Sequence, residues 1–391
     1  MKILIVSDTL ISRAGGVAYF SKRLAFYLKK RGHDVLVLVP AKNTKLGFFV
    51  HQGVKVFGVS SIPILVYEGF RISPAFLFNH QIKKVIAGFK PDIIHIQGHF
   101  LICQTAIKIA KEFKIPIVAT NHFLPNNFLH YLYLGKKEGE IVEKLLWHGF
   151  KKVYNNIDYI TTPTKTAVAI LKSIGFNKKV IPISCGIDLK RFNPQNNGNY
   201  LRKKYHLPNK SVLLFVGRLD KEKNIDLIIS AASLALQKTD FILVIAGRGK
   251  EKNNLIKLAQ KINIQKNIYF TGFVSDADLP YLYAMADCFV IAGEAELQSI
   301  VTLEALASGL PVLGLNCLAL PELVHHNKNG FLFELGNEIQ LAENIVEIFQ
   351  NHHLRQQFSK ASLKIIRNHD IQDTITNYEK LYHSIITKYI K

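Results

Sequence analysis

One arrangement, met twice along the chain, limits the folds open to it. KILIVS (2–7) is a short β-branched apolar run, and a loop carrying Gly15 and Gly16 follows. Val17, Phe20, Leu24, Tyr27 and Leu28 then fall on one face of a helix. Gly32 ends that helix, and DVLVLVP opens the next strand. A strand that returns to its sheet through a helix runs parallel to the first, by a right-handed crossover. Strand-like runs continue at 92–97, 115–121, 159–163 and 180–184, with helical patterns between them. After a polar, turn-rich stretch from Asn193 to Asn199 the rhythm restarts. SVLLFVGRL is a second opening strand, followed by FILVIAGRG, IYFTGF and DCFVIAG. The expectation is an α/β protein of two doubly wound, Rossmann-like units joined near residues 184–200. A chain of 391 residues is long enough to give each unit its own core. Ligands of such sheets sit at the carboxyl ends of the strands, and here also in a central cleft between the units.

Composition narrows the function classes. Hydrophobic residues are 48% and charged residues 20%, which excludes a disordered or fibrous chain. No uninterrupted apolar run approaches the roughly 20 residues that span a bilayer. The first strand begins at once, with no apolar signal core, so a cytoplasmic protein is expected. Cys103, Cys185, Cys288 and Cys317 lie far apart, without metal or disulfide spacing, and fit a reduced compartment. The neighbouring pairs His325–His326 and His352–His353 cannot share a helix face, so no metal site is expected.

The net charge of +21 is unevenly placed. Residues 1–185 hold 26 Lys and Arg against 9 acids, whereas residues 186–391 hold 24 against 20. A basic first half points to an anionic partner, either lipid or nucleic acid, with compositional drift as the bland alternative. No nucleic-acid module is present and aromatics are not interleaved with the basic runs, so no nucleic-acid partner is expected.

Four segments carry chemistry. A glycine loop after a first strand can cradle phosphate with bare amides at a helix start, although Gly15–Gly16 alone also suits a tight turn. It is not G-x-G-x-x-G, and Pro40, Ala41 and Lys42 follow the second strand where a dinucleotide site needs an acid, which argues against a nicotinamide oxidoreductase. GRLDKEKN brings Arg218 and Lys223 to the end of a strand, where two cations could neutralise a leaving diphosphate or simply be solvated. EAELQSIVTLEALASGLPVL sets Glu296 in the turn after a strand, with a helix beginning near Ser299 and Glu304 two turns along. A carboxylate beside an anion-binding helix start repels the anion unless it serves a purpose, such as accepting hydroxyl protons from a sugar or ribose. His122, in ATNHF, also follows a strand, where a structural histidine is the commoner reading. Asp276 and Asp278 form a D-x-D only in passing, since Ser275 and Asp276 read as a helix cap.

Together these residues resemble the retaining glycosyltransferases of family 4, which have the GT-B fold of two Rossmann-like domains. The resemblance runs through the glycine loop, KPDIIHIQ, TNHF, CGIDLKRFNP, VGRLDKEKN, TGFVSDADLPYLYAMAD and the glutamate segment, in the family's order. It implies a nucleotide-sugar as co-substrate and no metal or other cofactor. Gly15 and Gly16 would approach the donor diphosphate, and Arg218 and Lys223 would stabilise its departing charge. Glu296 would bind hydroxyls of the transferred sugar beside the amides of Gln298 and Ser299. Ile300 and Val301 amides would meet the distal phosphate, and Glu304 would hold the ribose. His122 would contact the sugar, while Arg248, Phe273 and Val274 would lie near the base.

Many members carry E-x-F-G where this chain has Glu296-Leu-Gln-Ser299. The glutamine version resembles the branch that glycosylates diacylglycerol and related membrane lipids, and TNHFLPNNFLHYL stands where that branch has its acceptor loop. UDP-glucose is the donor guessed from that branch, with a lipid acceptor. Transfer to a soluble or polyprenyl-linked glycan stays open, as does a catalytically silent basic binding protein. Two basic amphipathic segments, 73–90 and 138–156, could lie on an anionic membrane surface. The second is favoured, through Lys144, Trp147, Lys151 and Lys152, giving peripheral attachment to the inner face of the cell membrane. Domain limits are set at 1–185 for acceptor binding and 186–374 for nucleotide-sugar binding, with a helix near 375–391 rejoining the first.

Overall fold

The computed structural model describes residues 1–9, 15–41, 46–63, 71–125, 129 and 135–390. The chain divides into two compact units: Met1–Cys185 together with Gln372–Lys391, and Gly186–Ile371.

The first unit is an eight-stranded sheet. Its strands are β1 (Lys2–Val6), β2 (Asp34–Ala41), β3 (Gly47–His51), β4 (Val54–Ser60), β7 (Ile93–Ile96), β8 (Ile117–Thr120), β9 (Tyr159–Thr162) and β10 (Val180–Pro182). A separate two-stranded ribbon is formed by β5 (Ile62–Pro63) and β6 (Arg71–Ile72). The order is β10-β9-β8-β7-β1-β2-β4-β3, parallel throughout except for β3. Ile3, Leu4, Ile5 and Val6 are all fully buried, as in a parallel strand covered on both faces. Helices α1 (Gly16–Lys30), α2 (Ala75–Phe89), α3 (Leu101–Glu112), α4 (Lys136–Tyr154) and α5 (Lys165–Ser173) make the crossovers.

The second unit has six parallel strands: β11 (Ser211–Val216), β12 (Phe241–Ala246), β13 (Ile268–Gly272), β14 (Cys288–Ile291), β15 (Val312–Leu315) and β16 (Gly330–Phe333). Their order is β13-β12-β11-β14-β15-β16. Its helices are α6 (Asn199–Lys204), α7 (Ile225–Ala235), α8 (Lys252–Lys261), α9 (Leu279–Ala284), α10 (Ile300–Ala307), α11 (Glu338–Gln350) and α12 (His352–Ile366). Both sheets reverse their winding beside the opening strand, between β7 and β1 and between β14 and β11. Such a switch point leaves a crevice at the strand ends, where ligands of these folds bind.

The last helix, α13 (Ile371–Ile390), packs on the first unit. Ile371, Ile375, Tyr378, Tyr382 and Ile385 recur every three or four residues, and all are buried. The phenols reach a buried polar network: Tyr382 Oη lies 2.6 Å from His95 Nδ1, and Tyr378 Oη lies 3.1 Å from Thr120 Oγ1 and 3.2 Å from Thr161 Oγ1. His95 Nε2 bonds Thr120 Oγ1 at 2.7 Å, so the ring is satisfied on both sides. Burial, helped by His122, lowers the His95 pKa to about 3.

Periodicity does not announce β3 and β4. They form an antiparallel hairpin through Gln52 and Gly53, both at positive φ. The short strands β15 and β16 likewise go unmarked by the sequence pattern.

Candidate active site

In the second unit, the loops after β11 and β14 meet at the switch point. Lys223, at the end of a single 3₁₀ turn (Lys221–Lys223), places Nζ 2.7 Å from Glu296 Oε1. Gly293 makes room for the pair, since a Cβ there would stand 3.0 Å from Glu296 Oε1 and 3.4 Å from Lys223 Cδ. Arg218 is already engaged, by Asp220 at 2.6 Å and by Glu222 at 2.8 Å. Glu222 is 1% exposed, so its carboxylate depends on that guanidinium for charge balance. Asn224 sits in the left-handed region at φ 45° and spans the two loops, donating to Ala292 O (3.0 Å) and Glu294 Oε1 (2.8 Å). Arg218 and Lys223 thus both lie in the loop after β11, paired with Asp220 and Glu222 and with Glu296.

Helix α10 starts where expected. Ser299 is its N-cap, accepting the Thr302 amide at 3.3 Å, and no acid occupies the first turn. Gln298 and Ser299 are buried, while Ile300 and Val301 are half-buried. One turn on, Glu304 is 3% exposed and accepts a hydrogen bond from the buried Tyr283 hydroxyl at 2.9 Å. On the other side of β11, the Arg248 guanidinium lies over the Phe273 ring, 5.7 Å from its centroid, and Val274 is buried. Gly249 allows this loop to press on its neighbour: a Cβ would fall 2.2 Å from Leu219 O. Ser275 Oγ accepts the Asp278 amide at 3.1 Å, and Asp278 is taken by Tyr200 and Lys204.

In the first unit, Gly15 caps α1 and exposes its amide end, while residues 10–14 of that loop lie outside the described residues. Asp8, just after β1, governs the loop after β7. Its carboxylate accepts the amides of Phe100 (2.9 Å), Ile102 (3.1 Å) and Cys103 (3.3 Å), and full burial pushes its pKa up against those bonds. Gly98 is needed there because a Cβ would stand 2.7 Å from Asp8 Oδ2. His122, after β8, places Nε2 3.0 Å from Gln97 Oε1 and packs on Phe20 at 4.9 Å. Burial lowers its pKa to about 4, so the ring is neutral at neutral pH.

The membrane-facing expectation needs correction. Trp147 is only 7% exposed, packed edge-on against Phe123 and Phe150, with Nε1 toward Glu143. Lys151 is half-buried and donates to Ile174 O at 3.1 Å. An aromatic at the helix's inward period belongs to the core, and α4 turns another face outward. There Lys144 and Lys152 are exposed, with Ile141 at 59% and Leu145 at 64%. Of the expected acceptor loop, TNHFLPNNFLHYL (120–132), residues 120–125 and 129 are described and the rest lie outside the described residues.

No helix among the described residues is long and apolar enough to cross a membrane, and no cluster of three metal-ligating side chains occurs among them.

Two units, each a doubly wound parallel sheet, are the architecture of the GT-B fold. The model of Glycosyltransferase Family 4 matches residues 14–191, and that of Glycosyl transferases group 1 matches 199–365. The chain belongs to this glycosyltransferase family. It is similar to an alpha-monoglucosyldiacylglycerol synthase of Streptococcus pneumoniae, 29% identical over 85% of this chain and 75% of that protein. It is also similar to a GDP-mannose-dependent alpha-mannosyltransferase of Corynebacterium glutamicum, 26% identical over 86% and 77%. A sucrose-phosphate synthase from Thermosynechococcus elongatus superposes with a TM-score of 0.82 at 18% identity, over 99% of both chains.

Proposed function

We propose that this glycosyltransferase moves a hexose, with UDP-glucose as donor, to a hydroxyl of a membrane lipid such as diacylglycerol, keeping the α configuration. The observation that carries the reading is the Lys223–Glu296 pair at 2.7 Å beside the N-terminus of α10. A cation and the amides of a helix start suit a diphosphate, and the carboxylate suits the hydroxyls of the sugar it bears. Arg218 shares the phosphate charge, Glu304 holds the ribose, Arg248, Phe273 and Val274 bound the base, and His122 meets the acceptor side. The bond from C1 to the diphosphate oxygen breaks, and the acceptor oxygen bonds C1 on the same face. The acceptor's proton passes to the leaving phosphate. With Arg218 and Lys223 carrying the charge, turnover needs no metal, and EDTA should leave it unchanged.

The lipid acceptor is supported by the relative named for diacylglycerol and by the outward face of α4. Lys137, Ile141, Lys144, Leu145, His148 and Lys152 share that face, an exposed aliphatic pair edged by cations. This surface would rest on anionic lipid at the inner membrane face without inserting a span.

The test is nucleoside diphosphate release from UDP-, GDP- and ADP-sugars, with and without vesicles of diacylglycerol and phosphatidylglycerol. Release from UDP-glucose, raised strongly by the vesicles, is expected. Release indifferent to vesicles would turn the reading to a soluble or polyprenyl-linked glycan acceptor. Release from a GDP-sugar alone would replace the donor, and silence throughout, with no nucleotide binding, would sink the enzyme.

A further inference from the structure

The residue after Lys223 forgoes the bond that its position calls for. Asn224 stands at the N-cap of α7, where an asparagine side chain ordinarily accepts a helix amide, and it makes no such cap. Its Nδ2 is committed across the loops instead, donating to Ala292 O at 3.0 Å and to Glu294 Oε1 at 2.8 Å. A carbonyl and a carboxylate can only accept, so the nitrogen end of the amide must face them. The backbone is held at φ 45°, a left-handed conformation that asparagine tolerates and glycine adopts freely. Glu294 is the matching anchor. Its amide donates to Glu222 O at 3.3 Å, its carbonyl accepts the Cys317 thiol at 3.3 Å, and its carboxylate accepts Asn224. The loops after β11, β14 and β15 thus converge on one half-buried residue.

We infer that Asn224 and Glu294 are positioning residues, whose bond holds Lys223 and Glu296 in register for the transfer. Asn224 adjoins Lys223, and Glu294 stands two residues before Glu296. The 2.8 Å bond therefore ties together the two backbone segments that carry the 2.7 Å ion pair. A lysine ammonium rides on a flexible four-carbon stem, so its place depends on how firmly its backbone is fixed. A small misplacement of a group that meets the reacting atoms is costly to the chemical step and nearly silent in binding. The inference rests on the transferase reading above and adds two residues that act through the Lys223–Glu296 pair without touching substrate.

Competitive acetylation of the full chain without donor, read lysine by lysine by mass spectrometry, follows the pair without any turnover. The Lys223 side chain is 14% exposed and paired, so it should react more slowly than the exposed Lys238. Asn224→Gly keeps the left-handed turn and removes both bonds, and Glu294→Ala removes the anchor from the other side. Each is expected to raise the Lys223 rate, relative to Lys238, about threefold or more. Glu294→Gln keeps an acceptor for Asn224 and should leave that rate unchanged. Nucleoside diphosphate release from UDP-glucose with the lipid vesicles is measured on the same proteins. In Asn224→Gly and Glu294→Ala, kcat is expected to fall about tenfold or more with the donor KM within about twofold, while Glu294→Gln keeps its rate. Should Asn224→Gly fail to fold, the Glu294 pair of variants carries the test alone. An unchanged Lys223 rate in the disrupted variants, a raised KM with kcat preserved, or Glu294→Gln as impaired as Glu294→Ala would each overturn the positioning role. No release by the unaltered chain would count against the transferase reading, and the acetylation would still decide whether the bond holds the pair.

Discussion

The crevices at the ends of β1 and β7 and at the ends of β11 and β14 occupy the same place in sheets of the same winding, but their chemistry is opposite. The second-unit crevice is charged and paired: Arg218 with Asp220 and Glu222, Lys223 with Glu296. The first-unit crevice is lined by neutral imidazoles, an amide and aromatic rings, with two polar atoms unpaired. Topology therefore sets where the crevices lie and leaves the side chains to set their chemistry. The charges of the second-unit crevice are held in fixed pairs, whereas the described residues of the first-unit crevice present neutral groups.

The largest break in this comparison should come from the charged side. Glu296→Ala or Lys223→Ala is expected to cut turnover at least about 100-fold, the scale of a lost transition-state contact. Near-normal steady-state rates in both variants would remove the second crevice from the chemistry. Next is attachment. Replacing Ile141 and Leu145 with Glu should weaken binding to anionic vesicles by about 100-fold or more, since the two aliphatics together lose about 3 kcal/mol of burial. Trp147→Phe should leave vesicle sedimentation unchanged, because the ring is already inside. A smaller effect tests the support of Glu304. Tyr283→Phe removes the 2.9 Å bond, and the donor KM should rise about 10-fold or more with kcat little altered, since a hydrogen bond to a charged group contributes about 1.5–3 kcal/mol. A drop in kcat instead would make Tyr283 part of the reacting centre.

The neutral crevice is sharpened by acid. His95, His99 and His122 all have pKa values lowered by burial, to about 3, 4 and 4. As pH falls from about 6.5 toward 4, the unfolded chain binds protons at these rings and the folded unit does not. Each ring then removes about 1.4 kcal/mol of stability per pH unit. Asp8 acts in the opposite sense, because its raised pKa favours the folded form as acid is added. Urea unfolding read at Trp147, which reports on the first unit, should lose stability steeply below pH 6.5, and His99→Phe should flatten that slope by about a third.

Much of this was legible in the chain. The two opening strands, the restart after Asn199, Ser299 as a helix start, and Arg218, Lys223 and Glu296 at strand ends all follow from local periodicity and turn chemistry. Glu222 could have been suspected from its place four residues after Arg218. Tyr283 and Glu304 are 21 residues apart with a strand between them, and no spacing rule joins them. Trp147 shows the commonest error. A basic helix with one tryptophan has two faces, and its own period cannot say which meets the sheet.

By itself, then, the sequence determined the strand–helix alternation, from which two parallel sheets and their strand ends follow, because the periods and turns that set the alternation are local. Only the tertiary structure decided that Tyr378 and Tyr382 tie α13 to Thr120 and His95, that Asp8 holds the loop after β7, and that Gln97 and His99 keep atoms unpaired. Those outcomes depend on burial among residues far apart in the chain. Burial is a property of the packed whole, which no local pattern carries.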